Sequence, residues 1–333
     1  MKVAFFEIEE WEKEIIKNKL PCEVSFFEEK IDYENLPAQA DFDAVSTFID
    51  SRIDKPVLDS LPNLKFIATR STGYDHIDLS SCSEKGIKVS FVPGYGDNTV
   101  AEYTFGLILN LTRKIYKAIN QIKQKESFSL RDLRGIDLMG KTIGIIGVGR
   151  IGREVIKIAK GFDMNIVAFS PHQDIELSKN LGFSYASLEE LLGLSDIITI
   201  HCPYNKSTHH LINKGNIDLV KKGSFFINSA RGGIIETEAL VYALEKGIFQ
   251  GAALDVLEEE GELKDELHLL SKKRIHEEEL KVILYDHILM NFPNVLITPH
   301  NAFNSKEAME RILNITIENI KSFIENKPIN IAE

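Results

Sequence analysis

Cysteine is scarce in this chain: Cys22, Cys82 and Cys202 are the only three among 333 residues. They show neither a metal-site spacing nor a paired framework. That argues against a disulfide-stapled secreted domain and points to reduced thiols in a cytoplasmic protein. Positive charge is also in deficit. Lys and Arg number 39 against 50 Asp and Glu, a net charge of −11. Such a surface argues against nucleic acid or an anionic membrane as the main partner, although a locally basic pocket could still take a small anion. No apolar stretch reaches the length of a membrane span. The apolar run after Met1 is short and runs into acids, unlike a signal peptide. Repeats and low-complexity tracts are missing as well.

What is present is a globular composition, 44% hydrophobic and 27% charged, in a chain long enough for two domains. Over the first 95 residues, apolar runs at Lys2–Ile8, Glu23–Phe27, Ala44–Phe48, Leu64–Thr69 and Lys88–Val92 read as strands. Helical patterns such as Glu9–Lys19 and Leu58–Leu61 separate them. Strand–helix alternation predicts a parallel sheet covered by helices. One long helix is expected over Asn98–Gln124, apolar on most of its sides and so buried on most of them. Its expected partners are the second domain and another copy of the chain, which predicts a homodimer through the 98–124 region.

Six strands are expected beyond it: Thr142–Ile146, Asn165–Phe169, Ile197–His201, Ser224–Asn228, Ala252–Val256 and Val295–Thr298. Six is the number in two mononucleotide-binding halves. The charged region 258–291 reads as a surface insertion with a helical pattern near Glu277–Met290. A last helix, Ser305–Glu325, is expected to return to the first domain. The domain boundaries that follow are 1–98 plus 303–333 for the first domain and 99–302 for the second. Two chain crossings, near 98 and 302, predict a hinge with the active cleft between the domains.

The stretch around which the second domain is organised is Gly147-Val-Gly-Arg-Ile-Gly152, between the first of those strands and an amphipathic segment, Arg153–Phe162. Gly147 permits a tight turn, Gly149 lets backbone approach a pyrophosphate, and Gly152 lets the helix pack close to the strand. The helix N-terminus then offers free N–H groups to phosphate. The next strand lacks the expected terminal acid: Ser170 stands there, and Asp174 lies beyond a proline. That removes the repulsion against a 2′-phosphate, yet no Arg or Lys follows to bind one. NAD is the expected cofactor, with NADP as the alternative.

Strand ends gather the residues with chemistry. In the second domain Arg231 follows the fourth strand, Asp255 and Glu258–Glu260 the fifth, and Thr298-Pro-His300 the sixth. Ligands of open parallel sheets bind beyond the carboxyl ends of the strands. An Arg to hold a carboxylate, a His to move a proton near neutrality and an acid to fix its tautomer are what reduction of a keto acid requires. In the first domain, Thr72, Gly73 and Tyr74 after the fourth strand could offer backbone N–H groups to an anion, and Tyr95 follows the fifth.

This set resembles the D-isomer-specific 2-hydroxyacid dehydrogenase family over essentially the whole chain. The resemblance is carried by Gly147–Gly152, Ile227-Asn-Ser-Ala-Arg-Gly-Gly233, Asp255 with Glu260, Thr298-Pro-His300 and Val100-Ala-Glu-Tyr103. It implies an α/β fold of two doubly wound parallel-sheet domains, a flavodoxin-like substrate domain and a Rossmann NAD domain. It implies that Arg231 binds the substrate carboxylate and carbonyl, that His300 is the acid–base, and that Glu260 pairs with it, with Glu259 one residue away. Backbone at Thr72 and Gly73 would also hold the carboxylate. Gly149, Arg150 and Ile151 would meet the pyrophosphate. Cys202, Pro203 and Thr208 would lie along the adenosine–phosphate side, and Ala230 and Asp255 would border the nicotinamide.

Tyr95 and Phe303 are similar to the D-lactate dehydrogenase branch, where they would wall a pocket suited to pyruvate. Gly96-Asp97 departs from the Ser-Pro often found there. The implied activity is NAD-dependent reduction of pyruvate to D-lactate. A glyoxylate or hydroxypyruvate reductase is the alternative within the class, and an NAD(H)-sensing, corepressor-like binding protein the alternative outside it.

Overall fold

A computed structural model describes residues 1–37, 40–258, 260 and 277–332. The chain forms two compact units, Met1–Tyr95 with Asn304–Glu333, and Gly96–Phe303. Among the described residues no helix is long and apolar enough to cross a membrane.

The first unit is built on β1 (Lys2–Phe5), β2 (Glu23–Phe26), β3 (Ala44–Thr47), β4 (Phe66–Thr69) and β5 (Lys88–Ser90). Helices α1 (Glu10–Lys19), α2 (Lys55–Asp59) and α3 (Leu79–Glu84) connect them. All strand pairs are parallel, in the order β2-β1-β3-β4-β5, the doubly wound flavodoxin-like order. β3 and β4 are buried at every position, as expected of central strands covered on both faces. One face packs Val45, Ile67, Leu58 and Val89. The other packs Val3, Phe5 and Phe66 against Leu313, Ile317 and Ile320 of the C-terminal helix, Lys306–Ile324. Phe66 stacks on Phe323 at 4.3 Å. Each such fully buried side chain contributes about 1.5–3 kcal/mol. Ser305 caps the C-terminal helix by accepting from the Ala308 N–H.

In the second unit the region expected to be one long helix is two: α4 (Asp97–Thr112) and α5 (Ile115–Lys125). Lys114 adopts a left-handed φ of 54° between them. The break has a local cause. The Thr112 carbonyl, which would carry the helix on, accepts from Ile136 N–H at 3.0 Å. The chain at Gly135 comes so close that a Cβ there would lie 2.3 Å from that oxygen. α4 is buried as expected, and its Phe105 stacks on Phe162 at 5.3 Å. α5 buries no residue at all and presents Ile115, Tyr116, Ile119 and Ile122 to solvent.

The second sheet has seven strands, one more than expected: β6 (Thr142–Ile146), β7 (Asn165–Phe169), β8 (Ser184–Tyr185), β9 (Ile197–Ile200), β10 (Ser224–Asn228), β11 (Phe249–Leu254) and β12 (Val295–Ile297). The addition, β8, is a two-residue edge strand, too short to leave a periodic signal. The order β12-β11-β10-β9-β6-β7-β8 is wholly parallel and reverses between β9 and β6, as a Rossmann sheet does. Its helices are α6 (Arg150–Gly161), α7 (Ile175–Leu181), α8 (Leu188–Leu194), α9 (Thr237–Glu245) and α10 (Glu277–Asn291). The rest of the expected charged insertion, 261–276, lies outside the described residues, as does Glu259.

Candidate active site

β6 is buried from Ile143 onward and delivers the chain into Gly147 at the topological switch point. Gly147 has a φ of +102°, and a Cβ there would stand 2.6 Å from the Cys202 amide nitrogen. Conformation and close approach both demand glycine. A Cβ on Gly152 would lie 2.1 Å from the Gly147 carbonyl oxygen, so α6 packs on the turn through bare backbone. Gly149 differs: no protein atom lies within 4 Å of where its Cβ would be. That space is left open directly before α6, whose first intrahelical bond runs from Arg153 N–H to the Gly149 carbonyl at 3.1 Å. The N–H groups of Arg150, Ile151 and Gly152 are therefore first-turn donors at the positive end of the helix. A dinucleotide pyrophosphate fits this cradle. The Arg150 side chain is engaged sideways, donating to Asp97 at 2.8 Å.

Ser170 follows β7, half-buried. Asp174 does not replace the missing acid there. Its carboxylate caps α7 by accepting from Leu177 N–H at 2.9 Å. Cys202 and Pro203 follow β9. Burial pushes the Cys202 thiol up to about 11, so it lines the turn as a neutral group. The Thr208 hydroxyl donates to the Pro203 carbonyl at 2.7 Å and accepts from Asn205 N–H at 2.8 Å, which closes that loop upon itself.

Arg231 is placed by a buried asparagine. Asn228, the last residue of β10, accepts from Ala230 N–H at 3.0 Å and donates to the Arg231 carbonyl at 2.9 Å. The guanidinium donates to the Ala230 carbonyl at 2.8 Å, and the side chain is half-buried. A Cβ on Gly232 would lie 2.0 Å from the Leu257 carbonyl carbon, so this loop lies directly on the one after β11.

His300 is placed by Asp255, which is 1% exposed. The Asp255 carboxylate accepts from the Thr298 hydroxyl at 2.5 Å, from Asn301 N–H at 2.8 Å and from Ala302 N–H at 2.8 Å. Its carbonyl accepts from His300 N–H at 2.9 Å. These bonds fold the chain after β12 into a turn in which His300 takes a left-handed φ of 53°. Burial raises the Asp255 pKa, against the pull of those donors and of His300. At the end of the turn, His300 Nδ1 lies 3.1 Å from Glu260 Oε1. Nε2 has no partner among the described residues. The Phe303 ring stands edge-on to the imidazole at 6.3 Å.

The structure thus brings Glu260, after β11, to His300, after β12, and lays the Arg231 loop, after β10, against the start of the loop after β11. Thr72, Gly73 and Tyr95 lie in the first unit, after β4 and β5. Thr72 is exposed, its hydroxyl donating to the Val92 carbonyl at 2.7 Å. The Tyr95 carbonyl accepts from Arg311 at 2.6 Å. Sequence reasoning missed a second His–Glu pair. His210 Nε2 meets Glu258 Oε1 at 2.5 Å, and Glu258 also accepts from the Thr237 hydroxyl. No sequence signal separates Glu258 from its acidic neighbours, because its partner is 48 residues away.

The chain is similar to known proteins over most of its length. Residues 105–302 match the model of the D-isomer-specific 2-hydroxyacid dehydrogenase NAD-binding domain. A 2-hydroxyacid dehydrogenase homolog of Zymomonas mobilis is 36% identical over 329 residues, with 96% of each chain covered. Among solved structures, the pyruvate reductase of Chlamydomonas reinhardtii superposes with a TM-score of 0.87 at 32% identity, covering 99% of this chain and 98% of the other. The D-lactate dehydrogenase of Aquifex aeolicus, complexed with NAD and lactic acid, gives 0.84 at 33% identity, covering 98% and 96%. With its glycine cradle, its Arg231 loop and its His300–Glu260 pair, the chain belongs to the D-isomer-specific 2-hydroxyacid dehydrogenases, oxidoreductases that use NAD.

Proposed function

We propose that this enzyme reduces pyruvate to D-lactate, and that the observation carrying the chemistry is the His300–Glu260 pair beside the Arg231 loop. The α6 N–H groups and the Gly147 turn would hold the pyrophosphate. Ser170, Cys202, Pro203 and Thr208 would flank the adenosine, and Ala230 and Asp255 would border the nicotinamide. When bound, NADH supplies the hydride.

The protein's own residues do the rest. Arg231 grips the substrate carboxylate and carbonyl oxygen, since a planar guanidinium can fork onto both, and its charge stabilises the oxygen as negative charge develops. His300 gives that oxygen a proton from Nε2. Glu260 keeps the other proton on Nδ1 and stabilises the imidazolium. By the family resemblance, backbone donors at Thr72 and Gly73 would also hold the carboxylate. The resemblance to the D-lactate dehydrogenase branch assigns Tyr95 and Phe303 to the substrate side chain and favours a short one. The likeness to a pyruvate reductase and to a D-lactate dehydrogenase supports this choice of substrate. The enzyme acts as a cytoplasmic homodimer.

His300→Gln tests the assignment. With pyruvate and NADH, kcat should fall roughly a hundred- to ten-thousandfold, the share general acid–base catalysis supplies. The Kd for NADH should stay within about twofold, because the cofactor cradle lies on other strands. Turnover like the wild type would remove His300 from the mechanism.

A further inference from the structure

At the carboxyl edge of the first sheet, one acid reaches two neighbouring strand ends. Glu7 follows β1, the strand beside β3, and β3 lies beside β4. The Glu7 carboxylate accepts from Phe48 N–H at 2.9 Å, from Asp50 N–H at 2.8 Å and from the Ser51 hydroxyl, so it holds the whole turn after β3. The Glu7 carbonyl accepts from Arg70 Nη2 at 2.5 Å, and Arg70 is the first residue after β4. Arg70 is 1% exposed. Its side chain also meets the Ser46 hydroxyl of β3 at 3.4 Å, the Phe6 carbonyl at 2.9 Å, Glu12 at 3.9 Å and the Phe48 ring at 5.5 Å from Cζ.

The next residues are Ser71, Thr72 and Gly73, where the Ser71 hydroxyl donates to the Gly73 carbonyl at 2.6 Å. Glu7 itself has a left-handed φ of 52°, an unfavourable state for a residue with a side chain. Bonds hold it there from three sides: its N–H donates to the Glu29 carbonyl at 3.1 Å, its carbonyl faces Arg70, and its carboxylate faces the β3 turn. Local strain that the surroundings over-determine in this way is a mark of pre-organised sites.

We propose that Glu7 is a positioning residue for substrate binding: with Arg70 it locks the turn after β3 to the loop after β4, so that the Thr72 and Gly73 N–H groups stand pre-arranged for a carboxylate. The assignment rests on the proposed function, in which those two residues hold the substrate. Glu7 would act through the β3 turn and Arg70, which its carboxylate and carbonyl engage. Fixed donors bind an anion without first having to be ordered, so loosening them weakens binding and leaves the chemical step alone.

Glu7→Gln keeps the shape and loses the second strong acceptor. The KM for pyruvate should rise at least tenfold, with kcat at saturation within twofold and the Kd for NADH unchanged. A merely structural role would instead lower the active fraction, and so kcat, at constant KM. Ser51→Ala removes a single donor and should raise KM about threefold in the same way, which provides a reading even if Glu7→Gln does not fold. A KM within twofold of the wild type in the folded variants would overturn the positioning role while the proposed function stood. Wild-type protein without turnover on any 2-keto acid in the same assay would overturn both.

Discussion

His300 shows how much a single side chain depends on a neighbour in space. A left-handed backbone costs a non-glycine residue about 1–2 kcal/mol. The charged hydrogen bonds of Asp255 to Thr298, Asn301 and Ala302 contribute about 1.5–3 kcal/mol each, and the turn holds. His201 presents the opposite electrostatic case. It is buried after β9, and burial lowers its pKa to about 3. It stays neutral in the fold but takes a proton in the unfolded chain near the ordinary value of about 6.5. Stability is therefore full above that value and falls as the pH drops from it toward 3. Between pH 7 and pH 5 the loss should be about 2 kcal/mol. His201→Gln should remove that part of the pH dependence, measured as the unfolding free energy in urea at the two pH values. Parallel losses in variant and wild type would contradict it.

Arg231 and His300 stood out in the sequence because each follows an expected strand, whereas within the acidic run after the fifth strand only the family resemblance singled out Glu260. The work of Asp255 was not legible there, since its partners lie more than 40 residues away. The same is true of Glu7, whose acceptor role depends on which strands become neighbours.

Among elements, the strand–turn–helix of β6 and α6 carries the most local information. Buried β-branched residues, three glycines and an amphipathic face each demand the same structure, and β7 and β10 match their expected bounds. Gly152→Ala would drive a methyl group to 2.1 Å from the Gly147 carbonyl, so α6 would have to move away from β6. The Kd for NADH should rise at least tenfold and the Tm should fall by several degrees, read by fluorescence titration and by calorimetry. An unchanged Kd would mean that the turn does not bind the dinucleotide. The break between α4 and α5 was hidden because an apolar helical pattern runs straight through it. Only the arrival of Gly135 and Ile136, distant in sequence, diverts the Thr112 carbonyl.

For the molecule as a whole, α5 raises the question of what covers it. Ile115, Tyr116, Ile119 and Ile122 share this helix, and Phe128 and Leu130 follow at 83% and 84% exposure. An exposed apolar surface of this kind supports the proposed dimer, although the chain carries a net charge of −11 that favours solubility. Light scattering at micromolar concentration should give twice the 37.6 kDa of one chain, and Ile119→Lys with Ile122→Lys should return it to the single mass. A wild-type monomer would contradict the dimer.

The two-sheet architecture was legible because alternating strands and helices admit few packings. Substrate choice depends on pocket walls that periodicity does not encode. The decisive measurement is the initial rate of NADH oxidation with pyruvate, 2-oxobutyrate, phenylpyruvate, glyoxylate and hydroxypyruvate, with the chirality of the product determined. Pyruvate should show the highest kcat/KM, with D-lactate as the product. Glyoxylate or hydroxypyruvate in first place, or L-lactate as the product, would contradict it.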